Sequence, residues 1–380
     1  MIYFDNAATS RFKPRVLFDA MFRRLNHSAN PGRGGHDDAI DAAIAVQEAR
    51  ATIKEIFGAP EEYGVVFTSN CTEALNLAIL GYLRALDDGP IHVVTTVNEH
   101  NSVLRPLHRA VFEKDVRVSI AAPRKDGGIG ANEIAQALTP QTRLVCVNHI
   151  SNVTGAISDV EEIGRLCRAR GIAYLVDTAQ SAGHLPMNVK AWGADFVACA
   201  GHKGLHGSQG TGLLIVNPQY PLTPLKFGGT GTQSDMLDQP TDIPEGYECG
   251  TLNAVGICGL AAAAQWTHEH LSQINLHTRY LTGELLYGLK QIPDLTLYTQ
   301  SNSGVVSFNL GELSSADTGD LLNARGFAVR CGLHCAPLIH KHLQTEQRGT
   351  VRVSIGYNNN IDQVRQLLHT IAQIRSNASQ

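Results

Sequence analysis

The chain has 380 residues, 43% of them hydrophobic and 17% charged, an ordinary globular mixture that argues against a disordered or low-complexity protein. Its 31 basic residues are nearly matched by 35 acidic ones and build no basic face, which makes nucleic acid and anionic membrane poor partners. No apolar stretch reaches the roughly 20 residues of a membrane span, and MIYFDNAATSR lacks the form of a secretory signal, so a cytoplasmic protein is expected.

Short apolar runs alternate with longer amphipathic stretches along the first two thirds of the chain. The runs read as strands are 63–69, 91–97, 117–122, 143–150, 172–178, 195–200 and 212–217. Helical patterns such as 73–86 and 160–171 lie between them. Continuous apolar strands separated by helices predict an α/β fold, a mainly parallel central sheet covered by helices on both faces. After Gly250 the texture changes. A long helical stretch (256–290) precedes a strand at 304–309, a helix at 318–325, strands at 328–331 and 351–355, and a last helix from 360 to 377. This pattern divides the chain into a large domain, 1–255, and a smaller C-terminal α+β domain, 256–380. The segment up to about residue 20 is expected to pack on the smaller one.

Three segments carry candidate chemistry. FTSNCTEALNLAI (67–79) is a strand, a polar turn and a helix start, where backbone N–H groups at Cys71 and Thr72, with the Thr72 hydroxyl, would suit a phosphate. LVDTAQSAGH (175–184) puts Asp177 at the carboxyl end of a parallel strand, where ligands bind in open α/β sheets. A carboxylate there can pair with a pyridinium nitrogen, and Gln180 can donate to a phenolate oxygen. Asp177 would serve equally well as a helix N-cap. ACAGHKGLHGSQGTG (198–212) sets Lys203 among glycines that allow backbone to approach a ligand closely, although a lysine at a strand end is commonly just solvated.

Taken in order, FDNAATS (4–10), TSNCTEALNLA, NEHNSVLRP (98–106), NHISNVTGAI (148–157), DTAQSAGH, GHKGLHGSQGTG, RCGLHCAP (330–337) and VRVSIGYNN (351–359) resemble the cysteine desulfurase and selenocysteine lyase family. That family has the class V aminotransferase fold of pyridoxal-phosphate enzymes. The resemblance spans nearly the whole chain. It implies pyridoxal 5'-phosphate as cofactor, attached covalently to Lys203, with His202, Thr72 and Cys71 around the phosphate. His100 matches the histidine that stacks on the cofactor ring and moves protons. Asn152 would lie near cofactor and substrate. Arg352 matches the arginine that binds the substrate's α-carboxylate, a task suited to a bidentate fork, and Arg330 a basic residue by the catalytic loop. Thr230, in GGTGT (228–232), matches a stretch that reaches the neighbouring subunit's phosphate, which implies a homodimer.

The reaction so implied is conversion of L-cysteine, or L-selenocysteine, to L-alanine, with sulfur passed to an enzyme thiol and on to an acceptor protein. Cys335 is the expected thiol, because Arg330, His334 and a helix start at Pro337 surround it and favour a thiolate. Most free cysteines are simply packing, and Cys331, four residues away, is the alternative. The crowding of Cys331, His334, Cys335, His340 and His342 does not match common zinc spacings. WTHEH (266–270) reads as a helical surface pair. The loop from Arg330 to Cys335 is short, like the branch that works with a dedicated acceptor or handles selenocysteine well. Ala200, Ser208, Leu252 and Cys331 depart from the family's usual residues, and Ala200 removes a hydroxyl expected near the phosphate. Selenocysteine lyase, cystine lyase, another class V reaction and a cofactor-binding scaffold are the competing functions.

Overall fold

A computed structural model describes residues 1–32 and 34–377. The strands, in chain order, are β1 (Ile2–Tyr3), β2 (Gly64–Thr68), β3 (Ile91–Thr96), β4 (Val116–Ala121), β5 (Thr142–Asn148), β6 (Ala173–Asp177) and β7 (Phe196–Ala200). They continue with β8 (Gly212–Val216), β9 (Leu295–Leu297), β10 (Val305–Leu310), β11 (Phe327–Ala328), β12 (Arg330–Gly332) and β13 (Thr350–Ser354). All seven strands expected in the central sheet are present, in the order β2-β8-β7-β6-β5-β3-β4.

Side chains alternate across this sheet as the pleat requires. Val65, Phe67, Val145, Val147, Tyr174 and Val176 enter the core on one face. Val66, Leu144, Cys146, Ala173 and Leu175 enter the core on the other. Burial on both faces is why these strands read as unbroken apolar runs. The neighbours from β4 to β7 are parallel, while β8 runs antiparallel to both β7 and β2. The cause is the connection. Parallel neighbours need a crossover, but residues 201–211 between β7 and β8 form a tight, glycine-rich turn. That turn carries Lys203.

The second sheet, β12-β13-β10-β9, is antiparallel and has its own core, with Phe308, Val351, Val353, Leu285 and Leu367 among its members. Three expectations change here. The helix expected over 256–290 is two helices, Ala254–Glu269 and Leu271–Leu289, which meet at His270. His270 stacks on Trp266 at 4.3 Å between ring centroids, and Trp266 also meets Phe12, His206 and Tyr357, so within WTHEH His268 stays on the helix surface while Trp266 and His270 join an aromatic packing point. The strand expected at 328–331 is also two. Phe327–Ala328 pairs in parallel with β1, and Arg330–Gly332 pairs with β13.

The N-terminal segment ties the two sheets together. Phe4 N donates to Ala328 O (2.8 Å) and Ser354 N donates to Phe4 O (2.7 Å), while Ser10 N donates to His202 O (3.1 Å) across the lysine turn. Among the described residues, no helix is long and apolar enough to cross a membrane.

Candidate active site

A cavity of about 230 Å³ opens where the carboxyl ends of β5, β6 and β7 face the loop between β12 and the Pro337–His342 helix. Eleven of the twelve expected site residues line it: Cys71, Thr72, His100, Asn152, Asp177, Gln180, His202, Lys203, Arg330, Cys335 and Arg352. Thr230 does not. It lines separate surface grooves with Gly231 and Thr232. Ala200, at the end of β7, lines the cavity, so the position lacking a hydroxyl does face the site.

On the floor, Asp177 ends β6 and is buried. Its Oδ1 accepts from Ala179 N at 2.8 Å and from Cys71 Sγ at 3.6 Å. Burial pushes its carboxyl up, against the opposing pull of the Ala179 N–H and the Lys203 charge. Burial also lowers the Lys203 ammonium, while Asp177 partly holds it up. A carboxylate and an amine that each resist their own charge, at one end of one cavity, are suited to share a cationic ring and an imine carbon. Gly212 allows this floor to form, because a Cβ there would strike the backbone of Asn70 in the phosphate turn.

One wall is a chain of three side chains. Thr72 Oγ1 lies 2.8 Å from Ser102 Oγ, which lies 2.9 Å from His100 Nδ1. Ser102 N also donates to His100 Nδ1 (3.0 Å), so that nitrogen accepts and a neutral ring carries its proton on Nε2. His100 is pushed down to about 4, first by burial and then by Lys203, Arg330 and Arg352, so the ring is neutral near pH 7. Behind it, Glu99 is fully buried; its Oε1 accepts from Thr96 Oγ1 (2.7 Å) and Asn148 N (3.0 Å).

The cysteine loop, joined to the residue after His100, forms another part of the lining. Cys335 is exposed, and Arg330 Nη2 lies 3.7 Å from its Sγ. His334 and Cys335 both adopt left-handed backbone (φ 48° and 58°), a conformation costly for residues with a Cβ. Three bonds hold it. Asn101 N donates to Cys335 O (2.7 Å), Asn152 Nδ2 donates to His334 O (2.7 Å), and His334 Nε2 lies 3.0 Å from the Thr350 carbonyl. Cys331 faces elsewhere. Its sulfur lies against Gly319 beside the small-sheet core, and burial pushes its thiol up to about 11. Of the two thiols in this loop, only Cys335 lines the cavity.

Arg352 is 1% exposed and directly opposite Arg330 in the β12–β13 register. Its Nη1 donates to Asn152 O and its Nη2 to Asp5 Oδ1, each at 3.0 Å. Gln180 Nε2 donates to Ala7 O at 3.0 Å.

Sequence reasoning missed Ser102, Glu99, Asp5 and Lys13. Ser102 was findable, as the residue two after His100 that caps the following helix. Lys13 Nζ reaches Ser10 Oγ (2.9 Å), His202 O (3.1 Å) and Gly207 O (2.7 Å), fastening both ends of the lysine turn. Nothing local in RFKP announces that reach.

The cavity's chemistry fits pyridoxal 5'-phosphate. His202 Nδ1 and Asn152 Oδ1 are buried polar atoms without a partner in the protein, which a bound polar group would satisfy. Asp177 and Lys203 line the same cavity, a carboxyl and an amine of the kind such a cofactor would need.

The profile of the Aminotransferase class-V family matches residues 2–367. A probable cysteine desulfurase of Methanothermobacter thermautotrophicus is 36% identical over 98% of this chain and 94% of its own. One from Pyrococcus abyssi is 34% identical over the same shares. Among solved structures, an apo cysteine desulfurase from Thermococcus onnurineus NA1 superposes with a TM-score of 0.91 at 32% identity, covering 99% of this chain and 95% of that one. The Escherichia coli cysteine desulfurase CsdA superposes with a TM-score of 0.87 at 25% identity, covering 98% and 94%. With the same fold, near-complete coverage in both directions and a lysine, an aspartate and a cysteine converging on one cavity, the chain belongs to the class-V aminotransferase family and, within it, to the cysteine desulfurases.

Proposed function

We propose that this protein converts L-cysteine to L-alanine and holds the released sulfur as a persulfide on Cys335. The observation that carries this reading is the placement of one exposed thiol, with Arg330 3.7 Å from its sulfur, in the lining of the same cavity as Lys203. A hydroxyl at that position could not accept and later release sulfur.

Lys203 would attach pyridoxal 5'-phosphate, Asp177 would pair with its ring nitrogen, and Thr72, His202 and the turn at Cys71 would hold its phosphate. When bound, the cofactor supplies an electron sink for the substrate's α-carbon. Arg352 binds the α-carboxylate and fixes the substrate's orientation. Lys203 Nζ, whose proton is loosened by burial, moves the α-proton. His100, neutral and carrying its proton on Nε2, donates or accepts at that atom. Cys335 thiolate attacks the substrate sulfur, so a sulfur–sulfur bond forms as the Cβ–sulfur bond breaks. The electron pair stays with the carbon fragment, which takes up a proton and leaves as alanine. L-cysteine and one thiol thus become L-alanine and one persulfide, with no outside oxidant.

The strained loop supports an acceptor that comes to the cavity, because three bonds to neighbouring elements keep Cys335 from swinging out. Thr230, half-buried and away from its own chain's cavity, supports a homodimer in which it serves the partner's site. All eight cysteines are unpaired, which supports a reducing, cytoplasmic setting. Two domains, 1–255 and 256–380, meet at this site in the same reading.

The test is product analysis after incubation of purified protein with L-cysteine. Alanine in step with transferable sulfur supports the reading. Pyruvate with ammonia would indicate a lyase, and bound cofactor with no product would indicate a scaffold.

A further inference from the structure

Arg352 and Arg330 stand directly opposite each other on antiparallel strands, an arrangement that costs energy when both carry charge. Among the described residues, the carboxylate that pairs with Arg352 is Asp5, whose Oδ1 lies 3.0 Å from Nη2. Asp5 comes from the N-terminal segment and is bridged to Ser354, two residues beyond Arg352. It does not line the cavity, whereas Arg352 does.

The direction matters. One N–H on Nη2 goes to Asp5 and one on Nη1 goes to the Asn152 carbonyl, which leaves a second N–H on each terminal nitrogen. Nε–H has no partner in the protein either, so a ligand carboxylate can take two of these three N–H groups as a fork. The charge matters as well. Two guanidinium groups and one carboxylate leave a single net positive charge beside the cavity.

We infer that Asp5 is a positioning residue for substrate selection: it holds the Arg352 fork toward the cavity and cancels one of the two guanidinium charges, so that the site favours amino acids with one carboxylate over those with two. This rests on the reading of Arg352 as the substrate-carboxylate group. Asparagine at position 5 keeps an oxygen acceptor for Nη2 but removes the charge, whereas alanine removes both, so the two variants separate orientation from electrostatics.

The experiment measures KM and kcat for L-cysteine, and dissociation constants for L-alanine and L-aspartate by calorimetry, on cofactor-loaded wild type, Asp5→Asn, Asp5→Ala and Arg352→Lys. Asp5→Ala should raise KM and the L-alanine dissociation constant about tenfold with kcat within about twofold, because the fork is lost but the reacting groups are not. Asp5→Asn should restore L-alanine binding to within about threefold of wild type while shifting the L-aspartate to L-alanine affinity ratio toward L-aspartate by about threefold or more. If Arg352→Lys weakens L-alanine binding but Asp5→Ala leaves it as in wild type, or Asp5→Asn leaves the ratio unchanged, the inference is overturned and the reading of Arg352 stands. If Arg352→Lys also leaves L-alanine binding unchanged, the reading of Arg352 fails and takes the inference with it.

Discussion

Replacing Glu99 with glutamine should make the protein more stable at alkaline pH and change it little at acidic pH. Glu99 is wholly buried beside the cavity, and its carboxyl is pushed from an ordinary 4.5 up to about 8, chiefly by burial and further by the like charge of Asp177. The Thr96 hydroxyl and Asn148 N–H pull the other way without offsetting it. In the unfolded chain the same group loses its proton near 4.5. Between those two values the folded protein holds a proton that the unfolded chain does not, so stability falls as pH rises, by up to about 1.4 kcal/mol per pH unit. The contribution is complete below 4.5, and from pH 5 to pH 8 its loss has a ceiling of about 4 kcal/mol. Glutamine keeps the oxygen that Thr96 and Asn148 address, and it cannot ionise. The assay compares thermal midpoints of wild type and Glu99→Gln from pH 5 to pH 9. This cancels the opposite trend of buried histidines such as His149, lowered to about 4, whose neutral folded state makes stability rise with pH over the acidic range. The gap in favour of glutamine should be near zero at pH 5 and widen toward pH 8. Parallel curves would show that Glu99 is ionised in the folded protein and that the argument from burial is wrong.

Other perturbations separate the groups at the site. Arg352→Lys keeps the charge but loses the fork, and should weaken L-cysteine binding by about 1.5–3 kcal/mol in titrations; unchanged affinity would move the carboxylate to Arg330. Ala200→Ser adds a donor at the end of β7, and should slow cofactor loss on dialysis against cysteine, a gain of roughly tenfold to hundredfold in affinity if a full charged hydrogen bond forms. Equal loss from both proteins would mean that a hydroxyl there does not reach the phosphate. Cys331→Ser should leave persulfide formation intact, since that sulfur packs against Gly319 away from the cavity; loss of activity would shift the catalytic thiol by four positions.

The central sheet was legible because its strands are buried on both faces, which writes an unbroken apolar run at each one. Strand bounds such as Ile91–Thr96 and Gly212–Val216 fall within two residues of those expected. The reversed direction of β8 was not legible from the apolar pattern, although the glycine-dense turn before it is the physical reason for it. In the smaller unit, two breaks were hidden. His270 ends one helix and starts the next without a glycine or proline to mark the place, and Val329 between β11 and β12 looks no different from its neighbours. For the site, Lys203, Asp177 and Cys335 were visible because each sits in a distinctive local string. Asp5 and Lys13 were not, because their partners, Arg352 and the carbonyls of His202 and Gly207, lie far away in sequence. Their roles come from long-range folding of the N-terminal segment across both sheets, which no local pattern encodes.

The most direct test of the central claim follows the sulfur atom. Cofactor-loaded protein is given one equivalent of L-cysteine, alkylated without reductant, digested, and mapped by mass while alanine is counted in the same sample. The account predicts one added sulfur on the peptide carrying Cys335, alanine formed in equal amount, and neither the added sulfur nor sustained alanine formation in Cys335→Ser, which should still hold the cofactor covalently at Lys203. Added sulfur on Cys331 or Cys71, or alanine formation undiminished in Cys335→Ser, would contradict it.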